Sequence, residues 1–299
     1  MDKAKPYLLL LTARSTGWAA GRFRRAAKDR GIAIRTLDPA DVMLETGSDT
    51  GSVMIAGRRL SAPIAVIPRF GPGNYENGLA LLSQLEASGI PTCNPGYAIA
   101  LARDTYRTLL ELRNAGLRIP KTARVLSIRD LKPARGIVPG PPWILKTFTG
   151  AMGIGTMLVR DVDQLEALAA TLWALGQPIL MQEYVYSSSG KSDDIRALVV
   201  GGKVLGAIQR LAPSGGYRAN VHQGGTPQEI RLSRREKTIA LKAAKAVGLN
   251  MAGVDWIETV NGPVLLEVNA TPGFQGFESA TGIDAAGAMV DYSLRLAGR

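Results

Sequence analysis

The stretch VDWIETVNGPVLLEVNATPGF, Val254 to Phe274, sets two apolar runs on either side of Asn261-Gly262-Pro263. Asn and Gly accept the positive φ of a tight turn, so the two runs are expected to pair as an antiparallel hairpin. Each run carries a carboxylate where a buried strand prefers Val or Ile: Asp255 in the first, and Glu267, followed by Asn269, in the second. Glu267 and Asn269 are two apart and share a face. A reversal centred on Asn261 places Asp255 opposite Glu267, with facing side chains roughly 4.5–5.5 Å apart. A two-residue Asn-Gly loop shifts the pairing by one and sends Asp255 to the other face. We take the first register as the expectation. Like charges so opposed repel, and the arrangement calls for a cation between them. Two carboxylates and an amide oxygen, without Cys or His nearby, are hard ligands suited to magnesium accompanied by phosphates. A solvated sheet face with incidental acids is the alternative, and the rest of the chain decides between them.

A chain of 299 residues, 46% hydrophobic, can bury a sizeable core and is expected to form two or three compact units. No apolar run reaches the ~18–20 residues of a membrane span. The start, MDKAKPYLLLLTARSTGW, passes directly into strand-and-helix patterning, unlike a secretory signal, and a cytoplasmic protein is expected. Cys93 is the only cysteine and His222 the only histidine, which argues against disulfides, zinc sites and Cys/His nucleophile pairs. The net charge of +11 favours anionic partners, but neither an RNA-recognition signature nor zinc-finger spacing is present, so nucleic acid is not indicated.

The first ~95 residues alternate strand and helix patterns, which implies a parallel sheet with crossover helices. Strands are expected at Tyr7–Leu11, Ile32–Leu37 and Ile64–Ile67, and helices at Ala19–Asp29 and Leu79–Ala87. Thr12–Gly17, after the first strand, lacks G-x-G-x-x-G, so no dinucleotide site is assigned there. Asn94-Pro95 is expected to open one helix running to Asn114. Strands at Trp143–Lys146, Met157–Arg160, Ile179–Val185 and Ile195–Val200 follow. Capping boxes are expected at Asp163–Glu166 and Ser233–Glu236, the latter opening a helix that ends at Gly248.

Several polar groups punctuate this framework. Lys146 ends a strand and is followed by TGAMGIGT, Thr149 to Thr156, in which Gly150, Gly153 and Gly155 free the backbone to present N–H donors to an anion. No Lys-Ser/Thr follows, so this is not the Walker A pattern. Glu183 and Tyr184 lie in MQEYV, Asp194 in DDIR, and Arg218, Ala219 and Asn220 in the glycine-terminated loop YRANVHQGG. Each alone is ordinary surface polarity; their order along the chain is more telling.

That order resembles the ATP-grasp superfamily, and most closely the RimK-like glutamate ligases, which attach glutamate to the C-terminus of a small-subunit ribosomal protein. The resemblance is carried by VIPRFG at 66–71, Arg103-Asp104, GIG at 153–155, QEY, DIR, YRANVHQGG, AGVD at 252–255, LEVNATPGF and TGIDAAG at 281–287. It implies a mixed α/β and α+β ATP-grasp fold: a Rossmann-like pre-ATP-grasp domain over 1–97, a central subdomain over 98–185 and a C-terminal subdomain over 186–299. It also implies roles. Asp255, Glu267 and Asn269 would bind two magnesium ions, replaceable by manganese, around the phosphates of ATP. Lys146 would contact the α/β-phosphates, and the Gly150, Gly153 and Gly155 loop would close over them. Glu183 and Tyr184 would meet adenine, and Asp194 would lie near the ribose. Arg218, Ala219 and Asn220 would lie near the γ-phosphate, with Arg218 and Asn220 catalytic.

The implied reaction is carboxylate–amine ligation through an acyl phosphate, with glutamate joined to a protein or peptide by a homo-oligomeric enzyme. Ligation to a small amino acid or cofactor, and a non-catalytic nucleotide-binding regulator, are the alternatives. The chain departs from the family pattern at Thr105, where a Lys is usual, at Thr149, Ala151 and Met152 in the loop, and at Gln223. These departures bear on nucleotide affinity and acceptor identity rather than on the metal ligands.

Overall fold

The computed structural model describes residues 5–47, 51–147, 155–191, 193–211 and 226–298. Tyr7–Leu11 (β1) is buried at every position because it is the middle strand of a parallel sheet covered on both faces. It pairs with Ala33–Leu37 (β2), reached through helix Trp18–Asp29 (α1). Met43–Glu45 (β3), Ser52–Ile55 (β4) and Arg58–Arg59 (β5) form a small antiparallel sheet before Ala65–Pro68 (β6) pairs with the other side of β1. Helix Tyr75–Ala87 (α2) then packs Leu81, Leu82 and Leu85 against Tyr7, Leu9 and Leu11.

The single helix expected from Asn94-Pro95 to Asn114 is two helices, Gly96–Arg103 (α3) and Thr105–Asn114 (α4). Asp104 breaks it with extended backbone, and its side chain caps α4 by accepting from the Arg107 amide at 3.0 Å. Arg103 and Thr105 therefore do not share a helix. Asn94 is not a cap either; Pro95 holds that position. The Asn94 side chain is buried instead, donating to the Met251 and Ala270 carbonyls and accepting from the Asn250 and Met251 amides. Those four bonds satisfy the buried amide completely and tie the inter-unit connection to the C-terminal sheet.

Thr122–Val125 (β7), Leu131–Ile137 (α5), Trp143–Thr147 (β8), Thr156–Val159 (β9), Val162–Ala174 (α6) and Ile179–Glu183 (β10) form an antiparallel sheet, ordered β7-β10-β8-β9, backed by α5 and α6. Here the α6 cap is Asp161, which accepts from the Gln164 amide, not Asp163 as the spacing predicts. Acceptors two residues apart offer similar patterns, and the extended backbone at Asp161 settles which one caps.

A five-stranded antiparallel sheet follows, ordered β13-β12-β11-β14-β15, from Asp193–Val200 (β11), Lys203–Leu211 (β12), Thr226–Ile230 (β13), Met251–Thr259 (β14) and Gly262–Asn269 (β15). Arg234–Val247 (α7) opens with the expected Ser233/Glu236 capping box and ends at Gly248. With α3 and α4 it covers one face of the sheet, around Leu109, Leu112, Ala244 and Trp256. By packing, then, residues 96–114 side with the C-terminal sheet.

The opposite face is apolar only at one end. There Leu198, Val200, Ile208 and Met251 join Leu8, Leu10, Phe23 and Ile67 of the N-terminal unit, together with Gln275–Thr281 (α8) and Ala285–Leu296 (α9). Arg22 reaches Glu278 and Asp284 across this junction, and Arg30 reaches Asp291. No described helix is long and apolar enough to cross a membrane.

Candidate functional site

The β14–β15 hairpin has the expected pairing of Asp255 with Glu267, reached by a different route. Thr259 pairs with Gly262 around a two-residue Val260-Asn261 loop, and Gly262 (φ 94°), not Asn261, carries the positive φ. Left alone, this register would set Asp255 opposite Leu266. A β-bulge between Asp255 and Trp256 leaves Leu266 unpaired and returns Glu267 to the face of Asp255. Gly253 pairs with Asn269, and a Cβ on it would stand 2.9 Å from Pro272, so glycine is what lets the Thr271-Pro272 loop fold down beside the site.

Strand alternation brings further charges to the same face. Arg196 lies opposite Asp255, and Arg210 lies opposite Asp194. Arg196 donates to both oxygens of Asp255, Nε–Oδ1 at 2.7 Å and Nη2–Oδ2 at 2.5 Å, and more loosely to Glu267 at 3.4 Å. Arg210 bridges both oxygens of Asp194, at 2.6 and 2.5 Å, and Oδ2 of Asp255, at 2.8 Å. The cation that the opposed carboxylates call for is thus supplied here by guanidinium groups.

The energetics divide the two acids. Burial alone would raise the Asp255 carboxyl, but Arg196 and Arg210 overcome it and hold it well below the usual carboxylate range. Glu267, its side chain 52% exposed, is pushed up, first by desolvation and then by the charge of Asp255. Asp194 is raised by desolvation against the pull of Arg210. It is bound along the strand face to Arg210, which leaves its expected place near a ribose as one role among the proposals below.

Lys146 lies on β8. Desolvation lowers its ammonium pKa, and the charge of Glu267 opposes that, so Lys146 of the central sheet lies within electrostatic range of Glu267. Gly155, at the start of β9, holds φ 83° and accepts from the Thr147 amide at 3.0 Å; a Cβ there would meet Thr147 Oγ1 at 2.1 Å. Glu183 ends β10 with its amide already committed to the Lys121 carbonyl at 2.9 Å, and the Tyr184 ring packs edge-on to Tyr186 at 4.8 Å. Gly150, Gly153, Arg218, Ala219 and Asn220 lie outside the described residues, as do Thr149, Ala151, Met152 and Gln223.

Among the described residues, no three His, Cys, Asp or Glu converge closely enough to hold a metal. The donors present suit a cation that arrives with phosphates. Glu267 is half open and only weakly held by Arg196, while Asp255 beside it has both oxygens taken by Arg196 and Arg210 and Asn269 Oδ1 takes the Thr271 amide at 2.9 Å, so Glu267 is the most open of the three donors. Such a partial shell fits magnesium, which keeps substrate phosphates and water among its ligands.

Arg196 and Arg210 were not singled out as site residues from the sequence. Arg196 was legible, being two residues after Asp194 and so on its face. Arg210 was not, because only the β11–β12 register brings it there.

The chain was compared with known families and structures. Residues 7–99 match the RimK PreATP-grasp domain and residues 102–293 the RimK-like ATP-grasp domain. A "Probable alpha-L-glutamate ligase" of Serratia proteamaculans (strain 568) is 37% identical over 285 residues, 95% of this chain and 94% of that protein. A "Ribosomal protein bS6--L-glutamate ligase" of Salmonella schwarzengrund (strain CVM19633) is 37% identical over the same shares. Among solved structures, the ATP-grasp ligase PsnB complexed with minimal precursor, Mg and ADP aligns with TM-score 0.76 at 21% identity, over 99% of both chains. The RimK domain protein ATP-grasp from Sphaerobacter thermophilus aligns with TM-score 0.74 at 21% identity, over 96% of this chain and 99% of the other. With both domain matches in sequence order and full-length relatives at this identity, the chain belongs to the RimK-like ATP-grasp family and has its fold, an N-terminal pre-ATP-grasp domain followed by the ATP-grasp domain.

Proposed function

We propose that this chain is a cytoplasmic, ATP- and magnesium-dependent ligase that joins glutamate to a protein or peptide. The observation that carries the reading is the bulged hairpin, in which a strand irregularity sets Asp255 and Glu267 on one face, with Lys146 within electrostatic range of Glu267. The curated relatives are glutamate ligases by name, and another PsnB structure is complexed with precursor peptide PsnA2 and AMPPNP, which supports both the amino acid and the polymeric acceptor.

In this reading a carboxylate oxygen of the acceptor attacks the γ-phosphorus of ATP, ADP leaves, and the amine of the incoming amino acid displaces phosphate from the acyl phosphate to form the amide. Lys146, desolvated between the sheets, offers a point charge to the phosphates. Asp255, Glu267 and Asn269 would hold the metal–nucleotide complex, and a cation held there would supply charge compensation for the transferring phosphoryl group. Arg196 and Arg210 fix the Asp255 carboxylate so that little reorganisation is needed when nucleotide enters. Glu183 and Tyr184 border the adenine end of the cleft and Asp194 the ribose end. The family resemblance assigns Gly150, Gly153, Gly155 and Ala219 to the phosphates and Arg218 and Asn220 to the acyl phosphate.

The test is incubation with Mg-ATP, a panel of amino acids and acidic C-terminal peptides, read by mass spectrometry and ADP release. Glutamate-dependent mass addition is expected. Nucleotide binding without ADP release under any amine and carboxylate would replace this reading with that of a regulator.

A further inference from the structure

Arg69 stands directly after β6, at the carboxyl end of the N-terminal parallel sheet, where its amide donates to the Leu11 carbonyl at 2.8 Å. In open α/β sheets that edge is where ligands bind. Its guanidinium lies 5.2 Å from the Phe274 ring centroid and 5.7 Å from that of Phe23, and Nη2 donates to the Pro272 carbonyl at 3.1 Å. Pro272 is three residues beyond Asn269 and packs over Gly253, so Arg69 is tied to the loop that leaves the candidate metal ligands.

What the guanidinium lacks is an anion. Among the described residues Arg69 makes no ion pair, and of its five donors one side-chain hydrogen bond is made, to a neutral carbonyl. Four other partly or fully buried arginines, Arg196, Arg210, Arg22 and Arg30, each hold a carboxylate at 2.5–2.7 Å, whereas Arg103, over the Tyr75 ring at 4.3 Å, shares the aromatic setting of Arg69. Desolvation, with no opposing charge, lowers the Arg69 pKa to about 10. An unpaired charge held among aromatic rings is costly, and a partner that arrives with substrate removes the cost. A planar fork of donors is suited to a carboxylate.

Resting on the ligase reading above, we propose that Arg69 binds a carboxylate of the incoming amino-acid substrate, orienting its amine toward the acyl carbon beside the Asn269–Pro272 loop. Lys146, assigned above to the nucleotide phosphates, belongs to the central sheet, whereas Arg69 belongs to the N-terminal sheet.

The test is calorimetric titration of the full chain with L-glutamate in the presence of Mg-ADP. Arg69→Met keeps an apolar stem against Phe23 and Phe274, and Arg69→Lys keeps the charge without the fork. Arg69→Met is expected to weaken glutamate binding roughly ten- to a hundredfold. Arg69→Lys should weaken it less, with the Kd for Mg-ADP unchanged within about twofold in both. Glutarate, which keeps both carboxylates and lacks the amine, should bind wild type and lose affinity in parallel. Unchanged glutamate affinity in folded Arg69→Met, a loss that falls equally on Mg-ADP, a loss on a tetraglutamate acceptor peptide instead, or no glutamate binding to wild type would each overturn the proposal. Turnover is a separate arm: wild type that binds glutamate through Arg69 yet never releases ADP refutes the ligase reading and leaves the Arg69 subsite standing.

Discussion

One face of the C-terminal sheet is built in two halves from the same strands. Along β11, Asp194, Arg196, Leu198 and Val200 point the same way, yet the first two are charged and the last two apolar. The apolar half, with Ile208 and Met251, is sealed by the N-terminal unit and by α8 and α9. The charged half, with Arg210, Asp255 and Glu267, carries the ion pairs and has Lys146 of the central sheet within electrostatic range. Both halves contain buried groups: Leu198 and Asp255 are each 2% exposed. They differ in how burial is balanced. Leucine gains from leaving water, whereas Asp255 tolerates it only because two guanidinium groups replace its hydration. The apolar half stabilises the fold, and the charged half holds groups that are costly unless paired, as binding sites do.

The comparison can be broken most severely at Glu267. Glu267→Ala is expected to lower magnesium-dependent ADP release by about a hundredfold or more. Thermal melting without ligand should be unchanged or raised, because the mutation removes repulsion against Asp255. Wild-type turnover in the folded variant would end the metal-ligand assignment. Asp255→Asn acts on both function and fold, since it leaves Arg196 only the loose contact with Glu267 and Arg210 only Asp194. A loss of about 3–5 kcal/mol is expected in urea unfolding, together with lost activity. If stability held while activity fell, the guanidinium pairing would be shown to contribute nothing to the fold.

Leu198→Ala in the apolar half should cost about 2–5 kcal/mol and leave kcat per folded molecule within about twofold of wild type. A selective loss of kcat would merge the two halves into one functional unit. The smallest effect concerns Cys93, which packs in the same apolar cluster with its thiol donating to Ser293 Oγ. Burial pushes the thiol up to about 12 from an ordinary 9.0. A raised acid keeps its proton in the folded state, so this group destabilises the fold only as pH rises from 9.0 toward 12. At pH 8 a thiol reagent should label Cys93 at a rate set by unfolding and accelerated by urea; fast labelling of native protein would show the apolar half to be open.

The sequence determined by itself what depends on local pattern. The all-buried strand at Tyr7–Leu11, the capping box at Ser233 and the shared face of Glu267 and Asn269 follow from periodicity and turn chemistry, and they are present. The order of motifs was enough to point to the family that both domain matches show. Only the tertiary structure decided what depends on registers and on partners distant in the chain. The split of the 94–114 helix at Asp104 comes from a side-chain cap competing with the helical backbone, a contest that propensity does not rank. Asp255 meets Glu267 because a bulge at Leu266 undoes the register that the Val260-Asn261 loop imposes, and a one-residue shift of strand register leaves no trace in composition. Arg210 reaches Asp255 over 45 residues of chain, and Asn94 reaches Met251 over 157, through sheet and domain packing alone. Arg69 comes to lie against the Phe23 and Phe274 rings and the Pro272 carbonyl only once the surrounding chain is folded about it.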